Sequence, residues 1–349
     1  MKILITGGHI TPALAVAEEI RERYPDWELV LVGRRFSLEA NKIQSEEERL
    51  AKKYNLEFIP FKTGRFTRAF ALTTLISLSN VPVGFISAIN IVSSVRPNLI
   101  ISFGGYIALP VVIAGKLMGI PTVTHEQTRK RGLSNRIIGL FARKVCVSYP
   151  DQKGVYTGLP IRRSIFEKSK PPAGVDSKRP LLFFSGGSTG SQSLNTIFFE
   201  CITLLTKRYM VVHQTGRASE SKQMENYQSF PYIDLPEYAW ILQNAKLIIG
   251  RSGANTAGEV AALGKVALWI PLPWSGANEQ YENAAFLVNK GTSELIQQKN
   301  LTQATLISMI EKMVSNYESY KNNAEKYSRE ISRNAAGKLV DEIVKLPEV

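Results

Sequence analysis

Cysteine is nearly missing from this chain: there are two in 349 residues, Cys146 and Cys201. Two thiols cannot build a disulfide framework or a four-cysteine zinc site, and their scarcity fits a reducing compartment. Histidine is almost as rare, with three residues, which leaves little room for a His-rich metal site. No short internal period is present, which excludes a solenoid. The N-terminus, Met1-Lys2-Ile3-Leu4-Ile5-Thr6-Gly7-Gly8, has too short an apolar stretch for a secretory leader. It reads as a buried strand entering a glycine turn. One long uncharged run, 27 residues between Arg68 and Arg96, reaches the length of a bilayer span. Its Ser, Thr and Asn residues and Pro82 argue against spanning, and it reads as two buried or half-buried helices.

What is present is ordinary in bulk and unusual in charge. Hydrophobic residues at 44% and charged residues at 21% exclude a disordered chain or a coiled-coil rod. The length suggests two domains. The net charge is +13. Residues 1–160 hold 21 Lys+Arg against 12 Asp+Glu, and the rest hold 22 against 18, so the excess of 9 in the first part exceeds the 4 of the second. A basic first half points to an anionic partner: nucleic acid, a phosphorylated substrate or an anionic membrane. Lys62, Arg65, Phe66, Arg68 and Phe70, just before the uncharged run, mix cations with large apolar groups as an interfacial anchor does. No zinc-finger spacing or basic heptad helix supports nucleic acid.

Short apolar runs alternate with helical patterns. Strands are expected at Ile3–Ile5, Leu29–Val32, Phe58–Ile59, Leu99–Ser102, Thr122–Thr124 and Val145–Val147. The second half repeats this at Leu181–Ser185, Met210–His213, Tyr232–Ile233, Leu247–Ile249 and Ala267–Ile270. Alternation of this kind implies α/β units with parallel, doubly wound sheets. Pro150, Pro160, Pro171 and Pro172 mark a boundary region between Tyr149 and Pro180. Gln303–Leu346 reads as two terminal helices with a glycine turn at Gly337.

Four glycine turns follow strands: Thr6-Gly7-Gly8-His9, Ser102-Phe103-Gly104-Gly105-Tyr106, Ser185-Gly186-Gly187-Ser188-Thr189-Gly190-Ser191, and Gly250-Arg251-Ser252-Gly253-Ala254-Asn255-Thr256-Ala257-Gly258-Glu259. Glycine lets a backbone approach phosphate, and helix starts attract anions. None is a P-loop or a spaced-glycine dinucleotide fingerprint. Glu259, one turn into its helix, suits ribose hydroxyls, or is simply an acid favoured by the helix dipole. All three histidines lie in or beside strand-end loops: His9, His125 in His125-Glu126-Gln127, and His213 in His213-Gln214-Thr215-Gly216. His9 and Glu126 are the candidate general bases of the first half.

In order along the chain, these motifs, with Pro12-Ala13-Leu14-Ala15, Thr157-Gly158-Leu159-Pro160-Ile161-Arg162, Arg251-Ser252-Gly253-Ala254 and Glu279-Gln280-Tyr281-Glu282-Asn283-Ala284, resemble the MurG family of N-acetylglucosaminyltransferases from Met1 to about Leu346. The opening turn is shorter than the family's, Thr128 stands where the family has Asn, and Leu159 replaces Asn.

The resemblance implies a GT-B architecture: two Rossmann-like doubly wound domains facing across a cleft. Residues 1–155, with a returning helix at 330–349, would bind acceptor and membrane, and 156–329 would bind the donor. It implies inverting transfer of N-acetylglucosamine from UDP-GlcNAc to the C4 hydroxyl of MurNAc in lipid I, an undecaprenyl-linked acceptor, at the cytoplasmic face of the inner membrane. His9, then Glu126, would be the base. Donor contacts would come from Thr6, Gly7, Gly8, Thr128, Arg162, Ser188, Ile233, Ala254, Asn255, Thr256, Ala257, Gly258, Glu259 and Gln280, and acceptor contacts from Gly104, Gly105, Tyr106 and Gln127. No cofactor, metal or nucleic acid is implied. The competing readings are a diacylglycerol glycosyltransferase with the same donor site, and a basic membrane- or nucleic-acid-binding scaffold without activity.

Overall fold

Parallel strands need long crossovers, and the helical segments between these strands supply them. The computed structural model describes every residue except 39–42, 62–71, 176–177, 188, 218–220 and 348–349. It divides into two units, Met1–Pro160 with Asn334–Val349, and Ile161–Arg333.

The first unit runs β1 (Lys2–Thr6), α1 (Ile10–Arg23), β2 (Glu28–Gly33), β3 (Phe36–Leu38), β4 (Ile43–Gln44), α2 (Glu46–Lys53), β5 (Glu57–Pro60), α3 (Leu72–Val95), β6 (Leu99–Ser102), α4 (Gly105–Leu117), β7 (Thr122–Glu126), α5 (Leu133–Phe141), β8 (Lys144–Val147) and β9 (Val155–Tyr156). Its sheet has the order β5-β2-β1-β6-β7-β8-β9, and every pairing is parallel. The chain moves outward from β1 through β2, then returns to β6 on the other side. The reversal opens a crevice between the ends of β1 and β6, where ligands of such sheets bind.

The second unit runs β10 (Leu181–Ser185), α6 (Gln192–Leu205), β11 (Met210–Gln214), β12 (Gln223–Met224), β13 (Tyr227–Phe230), α7 (Leu235–Asn244), β14 (Ala245–Gly250), α8 (Ala254–Ala262), β15 (Ala267–Trp269), α9 (Glu279–Asn289), β16 (Ser293–Leu295), α10 (Gln303–Ser315) and α11 (Tyr317–Ser328). The order β12-β13-β11-β10-β14-β15-β16 repeats the scheme, with only the edge strand β12 antiparallel. Its reversal lies between β10 and β14.

Near-continuous apolar strands follow from burial on both faces. Ile3, Leu4 and Ile5 are all fully buried, Ile3 and Ile5 on one side with α1 and Leu4 on the other with α4. The last helix, α12 (Ala335–Val344), belongs to the first unit, where Leu339, Val340 and Ile343 join the α1 core. Each such side chain contributes about 1.5–3 kcal/mol on burial. Arg23 clamps Asp341 at 2.7 Å, and Lys144 clamps Glu342 at 2.8 Å.

Four expectations are corrected. The strand expected at Tyr232–Ile233 lies earlier, at β13: Asn226, at φ 58°, makes the turn that sends Tyr227 into the core, and Pro231 has no N–H to extend the ladder. The described part of the uncharged run, Leu72–Val95, forms one helix, α3, with Pro82 inside it. Pro82 is exposed there. The C-terminal segment forms three helices, broken at Asn316 and again where the chain returns to the first unit, and Gly337 lies inside α12. The unit boundary falls at 160/161, not 155/156. Lys62, Arg65, Phe66, Arg68 and Phe70 lie outside the described residues.

Candidate active site

In the first unit, three strand ends converge. Gly7 N–H donates to the Val32 carbonyl, closing the turn after β1. Gly8 has φ +115°, and a Cβ there would lie 2.8 Å from the Gly104 carbonyl oxygen. Only glycine permits that approach, so the first two glycine turns meet at the crevice. His9 caps α1 without a side-chain cap bond and is half-buried. Its imidazole therefore stays available at the helix start. Thr6 is buried beneath, and its hydroxyl accepts from Phe103 N–H. Tyr106 sits in the first turn of α4, near Arg34.

The neighbouring β7 differs from expectation. His125 and Glu126 lie inside the strand, not in a loop after it, because β7 is buried on both faces. His125 Nε2 bonds the Gly158 carbonyl at 2.9 Å, so Nε2 carries the proton. Burial pushes its pKa down to about 4, and the Gly158 bond and His9 act as smaller influences. Gln127 donates to the His125 carbonyl oxygen at 2.9 Å, and its own Oε1 is buried without a partner.

Glu126 has both oxygens occupied. Oε1 accepts from Thr128 N–H at 3.0 Å and from the Thr128 hydroxyl at 2.7 Å, and Oε2 accepts from Asn135 Nδ2 at 2.8 Å. Asn135 in turn lies directly against Gly104, whose missing Cβ makes the space for it. This arrangement holds a loop in place. It suits Glu126 less well to taking a proton, which favours His9 among the two candidates.

In the second unit, β10, β11 and β14 end together. Glu259 is buried on α8, and Tyr238 donates to its Oε2 at 3.1 Å. Burial raises its pKa to about 7, while the Tyr238 bond and the Arg162 charge oppose the rise. Arg162, itself buried, precedes a short 3-10 turn at Arg163–Ile165. The structure thus brings Arg162 and Glu259 together from positions 97 residues apart.

The start of α8 is open to an anion. Its cap, Gly253, has no side chain to bond the first-turn amides, and no acid stands in that turn. Ala254 and Ala257 pack inward, while Thr256 and Gly258 are half-buried. Ile233 is buried in the segment leading into α7. Gln280, in the first turn of α9, accepts from Leu272 N–H through Oε1 at 3.0 Å, which turns its amide nitrogen away from that bond. Ser188 lies outside the described residues.

Three side chains escaped the sequence reading. Tyr238 holds Glu259, and no local pattern marks it. Asn195 ties α6 to the chain after β11, accepting from His213 and donating to the Thr215 carbonyl at 2.7 Å. Arg251 stood in a quoted motif without a role. It is buried and, among the described residues, donates to neutral oxygens, those of Ile270, Pro271, Ser191 and Gln298. Burial lowers its pKa to about 10. Among the described residues, no group of three His, Cys, Asp or Glu could hold a metal ion.

Two doubly wound units, each with glycine turns at its reversal point and a helix start without a side-chain cap bond, define a glycosyltransferase of the GT-B class. Residues 6–147 match the glycosyltransferase family 28 N-terminal domain, and residues 181–339 match its C-terminal domain. The UDP-N-acetylglucosamine–N-acetylmuramyl-(pentapeptide) pyrophosphoryl-undecaprenol N-acetylglucosamine transferase of Treponema denticola is 32% identical, over 92% of this chain and 90% of its own. That of Clostridium novyi is 30% identical over 99% and 98%. The crystal structure of Acinetobacter baumannii MurG superposes with a TM-score of 0.71 at 25% identity, covering 99% of each chain. The glycosyltransferase of kitacinnamycin shares the fold at TM-score 0.73 and 15% identity. The chain belongs to the MurG family of glycosyltransferases.

Proposed function

We propose that the protein transfers N-acetylglucosamine from UDP-GlcNAc to the C4 hydroxyl of N-acetylmuramic acid in lipid I, with inversion, to form lipid II. Family membership along nearly the whole chain supports the reaction. The observation that carries the mechanism is the contrast among the histidines: His125 and His213 are buried with both ring nitrogens engaged, whereas His9 stands half-buried at a helix start.

In the proposed mechanism, His9 removes the proton of the acceptor hydroxyl, whose oxygen attacks C1 of the donor sugar. The C1–O bond to UDP breaks, and the departing diphosphate takes the electron pair. The α8 start and Arg162 stabilise that charge, so the step proceeds without a metal. Glu259 accepts from the ribose hydroxyls, Ile233 lies at the uracil, and Gln280 and Ser188 contact sugar and phosphate. Thr6 and Thr128, which the resemblance gives as donor contacts, are buried with their hydroxyls bonded to Phe103 N–H and Glu126, and Gly7 and Gly8 form the backbone turn before α1. Gly104, Gly105 and Tyr106 meet the acceptor in this reading, whereas Gln127 is fully buried with its amide nitrogen on the His125 carbonyl.

The proposed location is the cytoplasmic face of the inner membrane. No helix among the described residues is long and apolar enough to cross a membrane. Leu133 and Leu140, 72% and 80% exposed, share one face of α5 with the exposed Arg136. Val83, Ile86 and Leu117 are exposed on α3 and α4 of the same unit. Apolar groups set among cations suit an anionic bilayer surface.

The test is a transfer assay with labelled UDP-GlcNAc, a short-chain lipid I analogue and, in parallel, diacylglycerol, with EDTA present. Transfer to lipid I alone is expected, as is sedimentation with anionic but not neutral vesicles. Transfer to diacylglycerol alone would overturn the acceptor, loss of activity in EDTA would overturn the metal-free step, and equal binding to both vesicles would overturn the surface.

A further inference from the structure

His213 does no chemistry in the mechanism above, yet its side chain is tied on every side. It lies in β11 between Phe184 of β10 and Ser229 of β13, and it is fully buried. Phe198 of α6 meets its ring edge-on at 5.5 Å, and Phe199 lies at 5.3 Å. Both nitrogens are engaged: Nε2 with Asn195 Oδ1 at 3.1 Å and Nδ1 with the Tyr227 hydroxyl at 3.1 Å.

The partners decide the tautomer. Asn195 Nδ2 donates to the Thr215 carbonyl at 2.7 Å, so the amide turns its oxygen to His213. An oxygen there requires the proton on Nε2. Nδ1 is then bare and accepts from Tyr227. Burial lowers the His213 pKa to about 3, so the ring stays neutral at any pH where the enzyme works.

The chain of bonds ends at a backbone contact that leaves no slack. Gly190 and Gly216, both at positive φ, approach so closely that a Cβ on Gly216 would lie 2.5 Å from the Gly190 Cα. A Cβ on Gly190 would collide with the Thr215 carbonyl oxygen, the atom that Asn195 holds. The other end of the same turn is also held from β11, because Gln214 Nε2 donates to the Gly187 carbonyl at 3.2 Å. Consecutive residues of one strand therefore fix both ends of the glycine turn between β10 and α6. His213 does so through Asn195, and Gln214 does so directly.

The geometry points to His213 as a positioning residue for the donor diphosphate, acting as a neutral Nε2–H donor that fixes the Gly190 end of the turn after β10 through Asn195 and Thr215. This inference rests on the donor site proposed above. It differs from a core-packing role, because it requires the hydrogen bond and not merely the ring.

The test compares steady-state constants of His213→Phe, His213→Gln, Asn195→Asp and Tyr227→Phe with the wild type in the lipid I assay. His213→Phe keeps a ring and removes the donor. It is expected to raise the KM for UDP-GlcNAc about tenfold, on the scale of one buried hydrogen bond lost, with kcat and acceptor KM within about threefold. His213→Gln restores an N–H and is expected to recover most of that loss. Asn195→Asp keeps an acceptor for His213 but cannot donate to Thr215, and donor KM is expected to rise similarly. Tyr227→Phe leaves the Asn195 bond intact and is expected to stay near the wild type. Donor KM near wild type in both His213→Phe and Asn195→Asp would overturn the inference. So would a uniform fall in every constant without rescue by Gln. If His213→Phe does not fold, Gln and Asp carry the same decision. A wild-type enzyme without UDP-GlcNAc binding would instead sink the donor-site reading.

Discussion

The two units share one winding and use it differently. In each, a central strand is followed by a strand on one side, and the chain then returns to the other side, opening a crevice at the same topological place. In the first unit, the crevice meets backbone against backbone, Gly8 against Gly104, with a half-buried imidazole beside it. The carboxylate next to it, Glu126, is fully occupied by Thr128 and Asn135. In the second unit, the imidazole is sealed in the core, and the carboxylate is the group with fewer bonds, as Glu259 is met by Tyr238. The same two residue types have exchanged roles. Topology supplies the crevice, and burial and hydrogen bonding then decide how tightly each side chain in it is held.

The largest expected effect tests that exchange directly. His9→Ala is expected to lower kcat by about 10²–10⁴-fold, the usual worth of a general base, with UDP-GlcNAc affinity unchanged. Glu126→Gln, which keeps an oxygen for Thr128, is expected to lower kcat far less. Equal losses would erase the contrast between the two residues.

Next in size is the backbone. Gly104→Ala and Gly190→Ala each place a methyl group at positive φ against fixed atoms, the Asn135 amide in one unit and the Thr215 carbonyl in the other. Each is expected to cost roughly 2–4 kcal/mol of stability, read from denaturant unfolding. Gly119→Ala also sits at positive φ, +73°, but meets nothing within 4 Å, and about 1 kcal/mol is expected. A similar cost at all three would mean that backbone conformation alone matters, not the close approach of the turns.

The smallest effect concerns Glu259. Its folded pKa of about 7 lies above the 4.5 of an unperturbed carboxyl, so the free protein holds a proton there that the unfolded chain has lost. Its contribution to stability is therefore fully present below pH 4.5 and declines as pH rises to about 7, then levels off. Donor binding reverses the preference, since a ribose contact wants the charged form. UDP-GlcNAc affinity is expected to rise roughly tenfold from pH 6 to 8, with proton release on binding visible by calorimetry in buffers of different ionisation enthalpy. Glu259→Gln should flatten that dependence. A pH-independent wild-type affinity would remove Glu259 from the ribose.

Much of this was legible from residue order. Apolar runs such as Leu181–Ser185 are buried on both faces because parallel sheets are covered on both sides, so each strand signal is local and strong. The glycine turns were legible for the same reason, since positive φ and close approach are properties of one residue. Helix continuity was less legible. Pro82 reads as a breaker in the sequence, yet it lies inside α3. The strand at Tyr227–Phe230 was misplaced because Tyr232 and Ile233 carry equal apolar signal and only the turn at Asn226 sets the register.

Sequence alone thus determined the two α/β units, the four glycine turns and the order of motifs that marks the family. Each depends on side chains close together along the chain. Tertiary structure alone decided which titratable groups stand open. His9, His125 and His213 look alike in sequence, each beside a strand end, yet one is half-buried and two are sealed and bonded. That choice depends on Gly158, Asn195 and Tyr227, which lie 33, 18 and 14 residues from the imidazoles they hold. Desolvation and hydrogen bonding act through space, so no spacing along the chain encodes them.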